Sequence, residues 1–333
     1  MPNTATSISH SLNGADLALL LQFTTQTGRS LAHPDPPDNP VALFWSHNVP
    51  QIGLTHHAVM HLLLALAARH LAWLVTQDPE TRIQYVSLAE NHISAGLTEL
   101  TMALKTMNDS TCGFLYVSAI LVSFCTLAAG PTGPNDLLVC DVTSQAQQPW
   151  MSVIQGVRLI QETFSPNILF SGLLAPLAPP AEAESVGIQP RCEEEGFPRL
   201  DWEEPLGHVR DLIASSNSED TATYLESFRQ VEAIYEATYG KSNGSSTFEL
   251  RFRFVFIWLY TMSDDFVRCL QQRQPLSLII LAYYAFLLTT LKRDWYVQSW
   301  PRHILTRVRE MIDKDYTGWL RWPLEQAGIS MFD

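Results

Sequence analysis

His57 and His61 stand four apart in the run His56-His57-Ala58-Val59-Met60-His61, and the sixteen residues from His56 to Leu71 are apolar almost all round. At helical spacing both imidazoles fall on one face, the arrangement by which a helix offers two nitrogen ligands to a metal ion. A hydrolytic site of that kind also needs a Glu beside the first His as its base, and Ala58-Val59 stands there instead. His70 lies nine residues beyond His61, about 180° further around the helix, and points away from the pair. The expectation is no metal and no cofactor, the histidines being satisfied by neighbours in a core or an interface.

Other polar constellations stop short in the same way. Asp264-Asp265-Phe266-Val267-Arg268 starts like the aspartate-rich segment with which terpene synthases hold magnesium and diphosphate, but Arg268 occupies the place of the third carboxylate. Asn91, Ser94 and Glu99 imitate the companion motif of those enzymes, with the Glu one residue late and the order along the chain reversed. The chain has no G-x-S-x-G, G-x-G-x-x-G or G-x-x-x-x-G-K-[ST], so hydrolase-elbow, dinucleotide and P-loop chemistry have no support. Acid–base work, if the chain does any, would fall first to His61, Glu90, His92 and Asp265.

Aromatic residues are the more suggestive feature. Phe252, Phe254, Phe256, Trp258 and Tyr260 crowd one segment, and Tyr283, Tyr284, Phe286, Trp295 and Trp300 crowd the next. Small-molecule sites are mostly apolar with few polar groups. Phe124, Trp150, Phe254, Trp258, Tyr283, Tyr284 and Trp295 are therefore the candidates to line a pocket for a hydrophobic ligand; the same rings would serve equally to fill a core.

Composition limits the partners. The 333 residues carry 21 Lys and Arg against 34 Asp and Glu, a formal net charge of −13. Duplex affinity comes mainly from cations neutralising phosphates, so direct nucleic-acid contact is not expected. Five scattered cysteines, none in a CxxC pair, indicate neither a disulfide framework nor a zinc site and fit a reducing compartment. Residues 1–14 are polar and uncharged, reading as a disordered lead without a secretory signal. Cys112 to Gly130 is nineteen residues without a charge, long enough to span a bilayer, and Leu276 to Leu291 is a shorter such run. The first holds Gly113, Ser118, Ser123 and Thr126 and lacks basic and aromatic belts at its flanks. Both are read as buried core helices, with no membrane span.

These residues must be positioned by helices, since no segment reads as a strand. Apolar spacing predicts a helix over 16–32, then a proline-rich loop over 33–40, and a short helix over 41–47 ended at Val49-Pro50. Thr55 is the candidate N-cap of a central helix over 56–77, and Asp78-Pro79 closes it while opening a helix over 80–106. Ile83, Val86, Leu88, Ile93, Leu97, Leu100 and Leu104 mark that helix's inner face. Helices follow over 112–129, 150–164, 205–215, 219–239, 247–272, 275–300, 302–313 and 316–326. Proline and acidic residues over 165–204 make a solvated surface loop. The expected architecture is all-α: one domain over 15–330, an irregular multi-helix array around a buried central helix, with an apolar pocket.

Several stretches resemble the C-terminal ligand-sensing domain of fungal zinc-cluster transcription factors of the sterol uptake control type. Leu17 to Thr25 looks like that family's opening helix. Val49-Pro50-Gln51, followed by His57, His61, Ala65, Leu66, Ala67 and His70, looks like its next landmark. Tyr85, Ala89 and His92 match the third, and Trp150, Gly156 and Val157 the helix after it. Ala282-Tyr283-Tyr284-Ala285, then Trp295, Trp300, Trp319 and Trp322-Pro323, resemble the closing stretch. Ser299 stands before Trp300 where a Gly is common, and the family's six-cysteine cluster and basic linker are absent.

The resemblance implies an all-α domain that senses a sterol, secondary metabolite or other hydrophobic molecule and self-associates. On this reading the protein acts in the nucleus or cytoplasm through a partner, as a homodimer or as a heterodimer with a full-length regulator. The alternative is an enzyme: the pocket repurposed to fold a terpenoid or polyketide intermediate and catalyse cyclisation or isomerisation by positioning alone.

Overall fold

The computed structural model describes residues 14–32, 39–143, 156, 158–178, 190–242 and 254–331, the side chains of Phe254 and Ile257 excepted. It is all-α, with sixteen α-helices and no strand among the described residues; a lone bridge joins Asp136 and Asp141. The chain gathers into two compact units, one of Met1–Leu121 with Ser171–Leu177 and one of Val122–Phe170 with Ala178–Asp333.

The first unit is built on α5 (His57–Leu74), a helix so apolar that only burial suits it; thirteen of its residues are buried. Its N-cap is His56 in extended conformation, not Thr55, whose hydroxyl bonds back to Ile52 O at the end of α4 (Val49–Thr55). The preceding chain differs from expectation in a further way. Both α1 (Gly14–Gln22) and α3 (Pro40–Leu43) run into single π-helical turns, Phe23–Thr27 and Phe44–Asn48. The first leads into α2 (Gly28–Ser30) and the second into α4, so Pro50 opens a helix rather than ending one. The two turns meet closely. A Cβ on Gly28 would lie 2.9 Å from Ser46 Cα, so only glycine fits there.

α6 (Pro79–Leu104) starts where the sequence places it, with Asp78 Oδ1 accepting from the Glu80 and Thr81 amides at 3.1 and 3.2 Å. Of the expected inner face only Leu100 is fully buried. Ala89, His92, Gly96 and Leu100 face inward, while Ile83 is 68 % exposed. Gly96 explains the choice: a Cβ there would meet Leu62 Cγ at 2.9 Å, so the backbone itself sits against α5. Small residues win the seam because they let the helix axes approach.

α7 (Cys112–Ala129) carries the chain from one unit into the other. By length and composition α5 and α7 could each cross a membrane; 72 % and 67 % of them respectively is buried inside the fold.

The second unit has its own central helix, α14 (Pro275–Leu288), buried from Leu276 to Leu288. The sequence expectation of one organising helix thus becomes two. Around α14 lie α11 (Thr221–Tyr239), α12 (Phe254–Thr261), α13 (Asp264–Gln271), α15 (Trp300–Met311) and α16 (Arg321–Gln326). The remaining helices of this unit are α8 (Pro166–Leu169), α9 (Arg191–Glu195) and α10 (Glu203–Ala214). The helix expected over 247–272 is two helices, split where Ser263 Oγ caps α13 by accepting from Phe266 N. The helix expected over 275–300 ends at Leu288, and Trp300 opens the next. Ser299 Oγ lies over Gly130, 3.0 Å from where a Cβ would stand, and Gly130 adopts φ +73°. Trp300 donates its indole N–H to Leu127 O at 2.9 Å, fixing the end of α7. Within the stretch read as a loop, Cys192 and Trp202 are buried and α9 forms; the most proline-rich part, 179–189, lies outside the described residues.

Candidate functional site

Three of the four acid–base candidates belong to the first unit, and two of them touch. His61 on α5 and His92 on α6 face each other, Nδ1 to Nδ1, at 3.0 Å. On the far side of the His92 ring, Nε2 lies 3.4 Å from Asp16 Oδ1 on α1. The three side chains form a line, Asp16–His92–His61, through three helices. Two neutral imidazoles in such contact hold one proton between them. With Asp16 accepting from Nε2–H, His92 Nδ1 is left as the acceptor and His61 Nδ1–H as the donor. Burial lowers the pKa of His92, partly offset by the Asp16 carboxylate. The line is a proton relay in form.

Glu90, the third candidate, is turned elsewhere. Its side chain is 59 % exposed and pairs with Arg69, whose own side chain is 9 % exposed and whose Nε finds no hydrogen-bond partner among the described residues. Beside Arg69, His70 shares a hydrogen bond with Thr27 of the first π turn (2.9 Å), and burial drops its pKa to about 4. His57 is exposed, whereas His61 is half-buried against His92. Among the described residues no group of three or more His, Cys, Asp or Glu side chains converges as metal ligands would. Asp265 belongs to the second unit, 61 % exposed and held by Arg268 at 2.6 Å.

The aromatic candidates fall in the second unit, in three separate groups. Trp258 and Tyr284 lie against each other at 4.2 Å, both fully buried. The indole N–H of Trp258 reaches Ser227 Oγ and O at 3.1 and 3.2 Å, while the Tyr284 hydroxyl has no partner among the described residues. Burial holds that phenol far above its usual pKa, so it is neutral at any working pH. Tyr283, next in sequence, stacks instead on Trp322 at 5.5 Å. Phe124 and Trp295 both pack on Tyr296, at 5.0 and 5.6 Å. Trp150 lies outside the described residues, as does the side chain of Phe254.

Sequence reasoning did not single out Tyr296 or Tyr235, and it named Trp322 only as a landmark of the resemblance, not as a pocket residue; these three are the hubs of the clusters. Tyr235 is fully buried, donates to Tyr283 O at 2.8 Å and packs on Trp202, Phe286 and Trp322. Nothing in the local spacing of these rings sets them apart from their aromatic neighbours, and only long-range contact gives each its role.

A cleft of about 510 Å³ opens beside α10 and α11. Its walls include Trp202, Glu203, Arg210, Glu232, Glu236 and Lys241. The charges are matched internally: Arg210 with Glu232 at 2.7 Å and Lys241 with Glu236 at 2.8 Å. Burial nonetheless raises the Glu232 carboxyl against the pull of Arg210. This is a polar cleft, different in character from an aromatic enclosure.

No family model matches the chain. It is similar to a Zn(2)-C6 fungal-type transcription factor from Gibberella zeae, with 21 % identity over 339 aligned residues. The alignment takes in 98 % of this chain and 64 % of that protein, so the chain spans a little under two thirds of its relative's length.

Proposed function

We propose that this chain is the all-helical regulatory part of a transcription-regulator-like protein, one that senses a hydrophobic small molecule and acts through a partner rather than by gripping nucleic acid. One observation carries the reading: the likeness to a fungal regulator extends across 98 % of the chain and so takes in both units, on an all-α fold. The charge of −13 supports action through a partner, in the nucleus. The aromatic interior of the second unit supports a hydrophobic ligand, sterol or secondary metabolite. There the Tyr284 hydroxyl, buried without a partner among the described residues, is a polar handle for a guest's own oxygen.

The test is to purify the protein from its native host and identify by mass spectrometry any small molecule that travels with it. A single hydrophobic compound that raises the melting temperature on re-addition is the expected result, since a ligand binding only the folded state stabilises it. An empty protein whose melting is unmoved by sterols and host lipid extracts would overturn ligand sensing.

A second reading has one observation in its favour. The Asp16–His92–His61 line is a group able to move a proton without a cofactor, as a cyclase or isomerase of terpenoid or polyketide intermediates would require. Conversion of such intermediates by the wild type and not by His61→Ala would establish it.

A further inference from the structure

The cleft beside α10 and α11 follows from how the two helices bury their apolar faces. α10 buries Leu206, Val209 and Ile213, and α11 buries Phe228, Val231 and Tyr235. Arg210 and Glu232, each one residue past a buried valine, meet at the edge of that packing. Trp202 donates its indole N–H to Gly240 O, and Glu203 Oε2 accepts from Ser242 N, both at 2.8 Å. These bonds hold the chain after α11 against the start of α10. The walls carry three carboxylates, Glu203, Glu232 and Glu236, and three cations, Arg210, Arg229 and Lys241. The side chains of Glu232 and Glu236 are 17 % and 8 % exposed, those of Arg210 and Arg229 54 % and 74 %. Acid thus lies deep in the cleft and base lies towards water.

One ion pair in it is half used. Arg210 Nε and Nη2 both donate to the same oxygen, Glu232 Oε1, at 3.0 and 2.7 Å. A parallel guanidinium–carboxylate fork would engage both oxygens. Instead Glu232 Oε2 and Arg210 Nη1 take no hydrogen bond among the described residues, leaving one acceptor and one donor of opposite charge. A lone amine would satisfy only the first and a lone acid only the second. A molecule with an ammonium beside a carboxylate satisfies both, and adds no net charge to walls whose charges cancel. Because the two spare atoms belong to one ion pair, they suit the adjacent charges of an α-amino acid rather than the distant ends of a peptide. A volume of about 510 Å³ lies within the range of small-molecule sites and leaves room for a large side chain, with Trp202 and Ala233 as apolar wall.

We propose that this cleft is a binding site for a free α-amino acid, its ammonium on Glu232 Oε2 and its carboxylate on Arg210 Nη1. The cleft shares no wall residue with the Trp258–Tyr284 contact, so the inference holds or fails independently of a hydrophobic guest there.

Titration calorimetry on the full chain tests it. Each standard L-amino acid is titrated to about 10 mM, and at least one is expected to bind with a Kd of about 1 mM or tighter. The amine and the acid that lack its carboxylate and its ammonium should each bind about tenfold more weakly or worse, since each leaves one partner unmet. Glu232→Gln should weaken the amino acid by a similar factor. Arg210→Gln, at a side chain half in water, should do the same and guards against misfolding of the first variant. Glu162→Gln, in an exposed ion pair with Arg158, should leave the affinity unchanged. Binding by none of the amino acids, an amine or acid that binds as well as its parent, or an affinity that survives either cleft variant overturns the proposal.

Discussion

His61 and His92 meet nitrogen to nitrogen at 3.0 Å, with Asp16 behind His92, so the tautomer of each ring is set by its neighbour. His92 must carry its proton on Nε2 and His61 on Nδ1. Long-range nitrogen–proton NMR spectra should show this pattern at pH 7.5. In Asp16→Asn the carboxylate is gone and the preference of His92 for Nε2–H should weaken. Two Nε2–H tautomers in the wild type would contradict the relay.

The buried histidines make stability depend on pH in one direction. His70 titrates at about 4 when folded, against 6.5 for an unperturbed imidazole, because burial disfavours the cation. Between these values the unfolded chain binds the extra proton and the folded chain does not. Stability is therefore full above pH 6.5 and falls as pH drops towards 4, by roughly 3 kcal/mol from His70. His92, lowered in the same direction, adds to the loss. Urea unfolding at pH 7.5, 6 and 5 checks it; His70→Gln should flatten much of the slope.

Glycine at position 28 is required for space. Gly28→Ala places a methyl 2.9 Å from Ser46 Cα, and backbone cannot yield as a side-chain tip does. A loss of about 1–3 kcal/mol is expected. Gly207, inside α10, has nothing within 4 Å of its would-be Cβ. Gly207→Ala should therefore gain about 0.5–1 kcal/mol from helix propensity alone. Denaturant midpoints of the two variants should move in opposite directions.

Tyr284→Phe separates core from pocket. The ring stays against Trp258, and a buried hydroxyl without a partner among the described residues is removed. The ligand-free variant should be as stable as the wild type or up to about 1 kcal/mol more so. If the hydroxyl meets a guest, the same variant should bind the co-purified compound more weakly. A variant less stable by 2 kcal/mol or more would show that the hydroxyl has a structural partner.

The sequence alone determined the all-helical class, the cap at Asp78 and the burial of α5 and α14, because apolar periodicity and capping chemistry act within a few residues. It also named several of the aromatic residues buried in the second unit, Phe124, Trp258, Tyr283, Tyr284 and Trp295. Which face of α6 turns inward was decided only by tertiary structure. The periodic signal marks the bulkiest apolar stripe, whereas close approach to α5 selected Ala89 and Gly96, which have little hydrophobic signal of their own. The π turns, the separation of Tyr283 from Tyr284, and the meeting of Asp16, His92 and His61 belong to the same class. Each depends on contacts between residues distant along the chain, and local spacing says which side a residue faces without saying what it will find there.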